Sequence, residues 1–103
     1  GPKSVVPAYA AMTFLLDGHT SLGPIAGLGP AAWGYSYRGP EDTIQALWSE
    51  KAKRVTVAVK GKQVELFDWM GNSKLVPTSQ GAIDVTIGPD PLYLKISPGT
   101  SAR

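Results

Sequence analysis

The sequence predicts a mainly β fold: an antiparallel β-sandwich of about seven or eight short strands with one helical segment at the N terminus. Apolar and polar residues alternate in short runs from residue 33 onward. Gly and Pro turn signals separate these runs, and one apolar segment near the N terminus has helix-like ends. Closely spaced short strands are typical of a sandwich and not of a parallel α/β sheet.

Residues 1–18 contain the predicted helical segment. In "PAYAAMTFLLDG", Pro7 stands in the first turn and Gly18 just beyond the end, as helix boundaries require. The segment is apolar on most sides, so it must pack on its own domain, on a neighbour or on a second copy of the chain. Residues 19–32 are rich in Gly and Pro, which predicts a loop with at most one short strand near Leu22–Ala26.

Residues 33–97 are predicted to supply the strands, by period-two alternation. The predicted strands are Trp33–Arg38, Asp42–Ser49, Arg54–Gly61, Lys62–Trp69, Ala82–Gly88 and Leu92–Ile96. Residues 98–103 are expected to form a frayed tail.

The composition fits one domain over residues 1–103, with 43% hydrophobic residues to build a core. A net charge of +2 is too weak to indicate nucleic acid or an anionic membrane as partner, and no apolar run is long enough to span a bilayer. Gly1-Pro2 is typical of the pair that a protease leaves after cleavage, so we expect a piece of a longer protein.

Catalytic, cofactor and metal sites are not expected. The chain has no cysteine and a single histidine, His19, without a nucleophile motif. Its acidic residues fall in turns or on polar strand faces, without signs of the paired carboxylates of a glycosidase cleft. In "FDWMGN", Asp68, Gly71 and Asn72 lack the alternating oxygen ligands of an EF-hand loop, so they predict a structural turn.

Aromatic residues carry the strongest hint of a binding function. Trp33, Tyr35 and Tyr37 alternate along one strand and share a face. The opposite face holds Gly34, Ser36 and Arg38, so we expect the aromatic face to point into the core. The alternative is a platform on which sugar rings stack. Trp69 stands at a strand end, and we expect it to be an exposed indole and a further stacking residue.

Four segments, "PAYAAMTFLLDG", "QALWS", "VELFDWMGN" and "VTIGPDPLYLKI", occur in an order that resembles the C-terminal β-sandwich of clan-A (β/α)8-barrel glycoside hydrolases of the β-xylosidase and α-L-iduronidase types. The resemblance implies that the first segment is the last barrel helix, that D-x-x-G-N is a hairpin corner and that G-x-x-P-x-Y-L is the closing strand. It implies catalytic glutamates on a barrel that this sequence lacks. Sandwich strands contributed from before the barrel are then missing too.

We therefore expect a non-catalytic accessory domain of a secreted or periplasmic carbohydrate-active enzyme, which supports or orients the catalytic barrel of the parent chain. The alternative is an independent carbohydrate-binding module that stacks sugars on exposed Trp and Tyr residues. The expected partners are the barrel, a polysaccharide, and a second copy bound through the N-terminal segment or edge strands.

Overall fold

Eight β-strands make up the fold in the computed structural model, which describes residues 16–61 and 63–97. They are β1 (Thr20–Pro24), β2 (Ala32–Arg38), β3 (Thr43–Ser49), β4 (Lys53–Ala58), β5 (Gln63–Phe67), β6 (Ser73–Pro77), β7 (Ala82–Ile87) and β8 (Leu92–Ile96). All pairings are antiparallel, so the prediction of a mainly β, antiparallel fold is confirmed.

The predicted N-terminal helix falls almost entirely on residues 1–15, which lie outside the described residues. Asp17 and Gly18, at its predicted end, form a turn, and no helical element occurs over 16–61 and 63–97. The helical part of the predicted fold therefore has no support in this structure. In the described part of the chain, no helix has the length and hydropathy needed to cross a membrane.

The strands divide into two sheets. Six of them form one sheet in the order β1-β2-β3-β8-β5-β6, and β4 pairs with β7 in a second sheet of two strands. The last strand, β8, lies between β3 and β5, so distant parts of the chain must meet before the large sheet is continuous. Where the sheets meet, the Ser49 amide donates a hydrogen bond of 2.8 Å to the Gly88 carbonyl.

The main core lies between the two sheets. Residues of β4 and β7 alternate between buried and exposed along each strand, because a half-buried strand turns every second side chain to the same layer. Each fully buried aliphatic side chain contributes about 1.5–3 kcal/mol to this burial. The buried members of this core are Leu28, Leu47, Val55, Val57, Val59, Val64, Leu66, Ile83, Val85, Ile87 and Leu94.

A second cluster lies on the opposite, outer face of the six-stranded sheet. We call it the covered cluster: Ile44, Ala46 and Tyr93 are buried in it, with Leu16, Tyr37 and Phe67 packed against them. Ile44 of this cluster and Leu47 of the main core belong to the same strand, and both have 0% exposure. Strand β3 is thus buried on both of its faces, as the inner strand of a layered structure is.

Gly34 shows why the aromatic face of β2 does not point into the main core. An ideal Cβ on Gly34 would lie 2.6 Å from Leu47 Cδ2, 2.9 Å from Leu28 Cδ1 and 3.1 Å from Ile25 Cδ1. Gly34 therefore faces the space between the sheets, where no room is left for a side chain. Trp33 and Tyr35, at 44% and 38% exposure, face outward, so the prediction that they face the core is wrong.

Six strands lie where alternation predicts them, with end points within a few residues of the predicted ones. Strands β1 and β6 differ from the prediction. Strand β1 begins at Thr20, earlier than the short strand considered within the 19–32 loop. Strand β6 was not predicted; its residues Ser73, Lys74 and Leu75 are all exposed, and only Val76 is half-buried. An edge strand with so little burial has no clear alternation to detect.

We expect Gly34→Ala to lower the free energy of unfolding by about 1–3 kcal/mol, because the added methyl group overpacks a filled core. Urea denaturation monitored by circular dichroism measures this change. Gly88→Ala is the matched control, since a Cβ there meets nothing within 4 Å. Equal stability of the two variants would mean that Gly34 does not face the filled side of the sheet.

Candidate functional site on the outer face of the six-stranded sheet

Strand pairing brings aromatic side chains of β2 and β3 together on the outer face. In the antiparallel register, Trp33 stands opposite Trp48, Tyr35 opposite Ala46 and Tyr37 opposite Ile44. Residues directly opposite each other project from the same face of a sheet. All three aromatic residues of β2 are therefore on the face that carries Trp48.

Three rings form a continuous group that we call the aromatic row: Trp33, Trp48 and Tyr35. The Trp48 ring lies 6.3 Å from the Trp33 ring and 5.9 Å from the Tyr35 ring, between centroids. The planes are inclined by 27° and 16°, so the three rings have similar orientations. These distances fall in the range of offset stacking, which stabilises aromatic pairs by about 0.5–1.5 kcal/mol beyond burial.

Tyr37, the third aromatic residue predicted to act with them, belongs to the covered cluster at the other end of β2. There it neighbours Tyr93, whose pKa is raised above 10.0, mainly by burial and also by the proximity of Tyr37. The Tyr93 phenol therefore stays protonated at neutral pH. The outer face thus has a covered end and an end where the aromatic row is open.

Trp69 lies at the corner between β5 and β6 and is half-buried, whereas its neighbour Met70 is 59% exposed. It takes part in no stack with another ring among the described residues. Trp48, by contrast, is central to the aromatic row, although sequence analysis did not propose it as a stacking residue. The sequence shows that Trp48 alternates with Ile44 and Ala46, but it does not show the cross-strand pairing of Trp48 with Trp33.

The Asp68 side chain closes the corner between β5 and β6. Its Oδ1 accepts hydrogen bonds of 2.9 Å from the Met70 and Asn72 amides, and Oδ2 accepts one of 3.1 Å from Asn72 Nδ2. Gly71 has a φ of 94°, which glycine adopts without strain. Burial acts to raise the pKa of Asp68, but these hydrogen bonds outweigh it and leave the pKa below 3.8.

An open groove runs between the layers beside this corner, because the two-stranded sheet covers only part of the six-stranded one. Its volume is about 570 Å³. It is lined by Leu66, Asp68, Asn72, Ser73, Lys74, Val76, Asp84, Val85, Thr86 and Leu92. Asp84 accepts a hydrogen bond of 2.5 Å from Thr56 Oγ1, so both groove carboxylates already have partners. Within residues 16–61 and 63–97, no three His, Cys, Asp or Glu side chains are grouped to hold a metal.

His19 links the N-terminal end of the described chain to the turn between β2 and β3. Its Nδ1 is 2.9 Å from the Asp17 carbonyl oxygen, and its Nε2 contacts the Asp42 carboxylate. Both partners are hydrogen-bond acceptors, an arrangement that a protonated imidazole, which donates from both ring nitrogens, satisfies. The hydrogen bond to Asp42 raises the pKa of His19 above 6.5, against the opposing effect of burial. Lys95 Nζ lies 3.9 Å from the other Asp42 oxygen.

We expect Asp68→Ala to cost about 1–2 kcal/mol of stability, because the corner loses its hydrogen-bond acceptor. Thermal melts measure the effect, with Asp90→Ala as a control at an exposed aspartate in another turn. The control should stay within about 0.5 kcal/mol of the unmodified chain. A melting temperature that falls with chelator and recovers with calcium would show that the corner is a metal loop instead.

We expect the stability contributed by His19 to be complete below about pH 6.5 and to be lost as the pH rises through the higher pKa of the folded state. Urea denaturation at a series of pH values tests this, and NMR titration of the only histidine gives the pKa directly. His19→Gln should cost about 1 kcal/mol at low pH and remove this pH dependence. Stability that rises over the same window, or an unchanged slope in the variant, would contradict the protonated arrangement.

No protein-family model and no curated protein matches the chain. The chain does resemble a solved structure described as a family 39 glycoside hydrolase from the gut symbiont Bacteroides cellulosilyticus WH2. The similarity has a TM-score of 0.65 at 22% sequence identity and covers 88% of this chain. The matching region spans 19% of that protein's chain. At this level of identity, the similarity shows a shared fold over most of this chain.

Proposed function

We propose that this chain is a non-catalytic accessory domain of a carbohydrate-active enzyme, in which it supports and orients a catalytic (β/α)8 barrel. The observation that carries the proposal is the double-faced burial of the six-stranded sheet. Ile44 and Tyr93 are buried on the outer face, and Leu47 and Leu94 are buried on the inner face. A sheet with two apolar faces lies between two layers. Strands β4 and β7 cover the inner face, and we propose that a preceding barrel extends the cover of the outer face, on which Leu16 packs.

Leu16 supports an orientation for this second layer. It packs against the covered cluster, and the Leu16 carbonyl accepts a hydrogen bond of 3.0 Å from the His19 amide. The chain therefore enters the sandwich over the outer face. We propose that a domain preceding residue 16 in a longer protein contacts this face, next to the covered cluster.

The partners of the aspartates support a non-catalytic role. Asp68 is engaged by the corner, Asp84 by Thr56, and Asp42 by His19 and Lys95. Glycoside hydrolysis needs two carboxyl groups that flank the substrate in a cleft, one as acid and one as base or nucleophile. Asp68 and Asp84 both line the open groove, but each accepts hydrogen bonds from its own neighbours, and Asp42 is not among the groove residues.

An independent carbohydrate-binding module is the second candidate, and the aromatic row is the observation that favours it. The two candidates differ in what they require of the parent protein. The accessory domain needs a catalytic barrel before it and acts on stability and orientation. An independent module keeps its role wherever it is attached. In either case the parent enzyme is proposed to be secreted or periplasmic, where polymeric carbohydrate is met.

The genomic reading frame around this segment tests the proposal, and we expect it to encode a (β/α)8 barrel immediately before the sandwich. Deleting the sandwich from that parent should lower the melting temperature of the barrel by several degrees. A contact worth about 1 kcal/mol changes the melting temperature of a domain of 150–250 residues by roughly 2–4 °C. A reading frame that encodes no barrel would contradict a supporting role. So would a barrel whose melting temperature and activity stay the same after the deletion.

The isolated chain serves as the control for catalysis. It should release no product from aryl glycosides, xylan-type polymers or glucan-type polymers. Sustained turnover that disappears in an Asp or Glu variant would contradict the non-catalytic role and leave the fold unaffected.

A further inference from the structure

We infer that residues 5–15 of this chain, which we call the leading segment, pack over the aromatic row and close the open end of the outer face. The inference does not depend on the proposed function. An apolar segment at this place in the sequence has three possible partners: its own domain, a neighbour or a second copy. The contacts of residues 16–19 favour its own domain, with Trp33 and Tyr35 as the residues that it covers.

The position of Leu16 brings the leading segment to the outer face. Leu16 packs against the covered cluster, and its carbonyl accepts a hydrogen bond of 3.0 Å from the His19 amide. The His19 ring contacts the Asp42 carboxylate in the turn between β2 and β3. The point at which the leading segment joins the sandwich is therefore held on the outer face, at the end of β2 that carries Tyr37.

A tight turn joins the leading segment to β1. The hydrogen bond from the His19 amide to the Leu16 carbonyl closes a turn of four residues. Gly18, within this turn, has a φ of 74°, a left-handed conformation that glycine adopts without strain. Such a turn reverses the chain, so the residues before Leu16 are directed roughly opposite to strand β1.

Strand β1 therefore gives the direction of the leading segment. It begins at Thr20, opposite Arg38, and ends at Pro24, opposite Tyr35. Strand β1 thus advances toward the end of the sheet where the aromatic row lies. A segment that runs the opposite way comes from the aromatic row toward the covered cluster, where Leu16 is packed.

The leading segment is long enough to reach the row. Trp33 and Tyr37 are four residues apart on β2, which separates them by roughly 13 Å along the strand. The nine residues from Pro7 to Leu15 span about 14 Å at the helical rise of 1.5 Å per residue. An extended chain would span about twice that distance. The segment therefore reaches Trp33 whichever of these conformations it adopts.

The composition of the leading segment matches the surface that it would cover. Nine of its eleven residues are hydrophobic, and none is charged. On the row, Trp33 is 44% and Tyr35 is 38% exposed, although both side chains are largely apolar. Contact between the two surfaces removes apolar area from water on both sides, which is favourable.

Covalent attachment favours this segment over a second copy or a separate protein. A stable interface between two chains buries about 800 Å² on each partner, in part to offset the translational and rotational freedom that association removes. A segment joined directly to Leu16 loses little of this freedom, since its effective concentration at the sheet is about millimolar or higher. A small patch such as the row is therefore sufficient to hold the leading segment.

Paramagnetic broadening in NMR spectra tests the inference, because the chain has no cysteine of its own. A nitroxide is attached to Ala8→Cys in the full chain, and the Trp33 indole N–H signal, assigned from Trp33→Phe, should lose most of its intensity. Ala58→Cys is the matched control, since Ala58 is exposed on the two-stranded sheet. A label there should leave the Trp33 signal unchanged.

A mixture of labelled chain without ¹⁵N and unlabelled chain with ¹⁵N distinguishes packing within one chain from packing between copies. We expect no broadening in the mixture. A double-mutant cycle in urea gives a second readout. Met12→Ala and Trp33→Ala should be non-additive by at least about fivefold in the unfolding equilibrium constant. Met12→Ala and Leu75→Ala should be additive, because Leu75 is exposed on the edge strand β6.

Three outcomes overturn the inference. They are an unchanged Trp33 signal in the chain labelled at residue 8, broadening in the mixed sample, and additivity of Met12→Ala with Trp33→Ala. Broadening in the mixture would identify a second copy as the occupant of the row. None of these results bears on the proposed supporting role, which the parent reading frame tests separately.

Discussion

Burial of the central strands on both faces is the constraint on which the rest of the structure depends. In β3, Ile44 faces outward and Leu47 inward, and both are inaccessible to water. In β8, Tyr93 and Leu94 repeat the arrangement. Since these strands pair with each other, the middle of the six-stranded sheet must have an apolar layer on each side. The inner layer is the β4–β7 ribbon, and Leu16 packs on the outer side.

This constraint divides the outer face into parts with different roles. At one end, small and aliphatic residues pack with Tyr37 and Phe67 into the covered cluster. At the other end, Trp33 and Tyr35 are exposed to solvent and stack against Trp48. The two ends of the same strands therefore differ in exposure: one end is buried, and the other leaves two aromatic rings accessible to solvent.

The polar residues that suggest chemistry in the sequence act on local structure. Asp68 accepts three hydrogen bonds within its own turn, so its carboxylate stabilises the corner. His19 contacts the Asp17 carbonyl and the Asp42 carboxylate through its two ring nitrogens, and so links the start of the described chain to the β2–β3 turn. Gly39 lies directly beneath this ring, since a Cβ there would meet His19 Nε2 at 2.5 Å. These contacts fix where the chain joins the outer face.

The sequence by itself determined most of the strands, the turn at Gly71 and the sharing of a face by Trp33, Tyr35 and Tyr37. Each follows from period-two alternation or local turn chemistry, which act over a few residues. Alternation favoured the aromatic face of β2 as the inward one, because the opposite face holds Gly34, Ser36 and Arg38. Only the packing of Gly34 against Leu47 decided that Trp33 faces outward. Tertiary structure also decided the pairing of His19 with Asp42 and of Trp48 with Trp33. The β6 strand became recognisable only through its pairing with β5. Register between strands depends on side chains far apart in the chain, and no local pattern contains it.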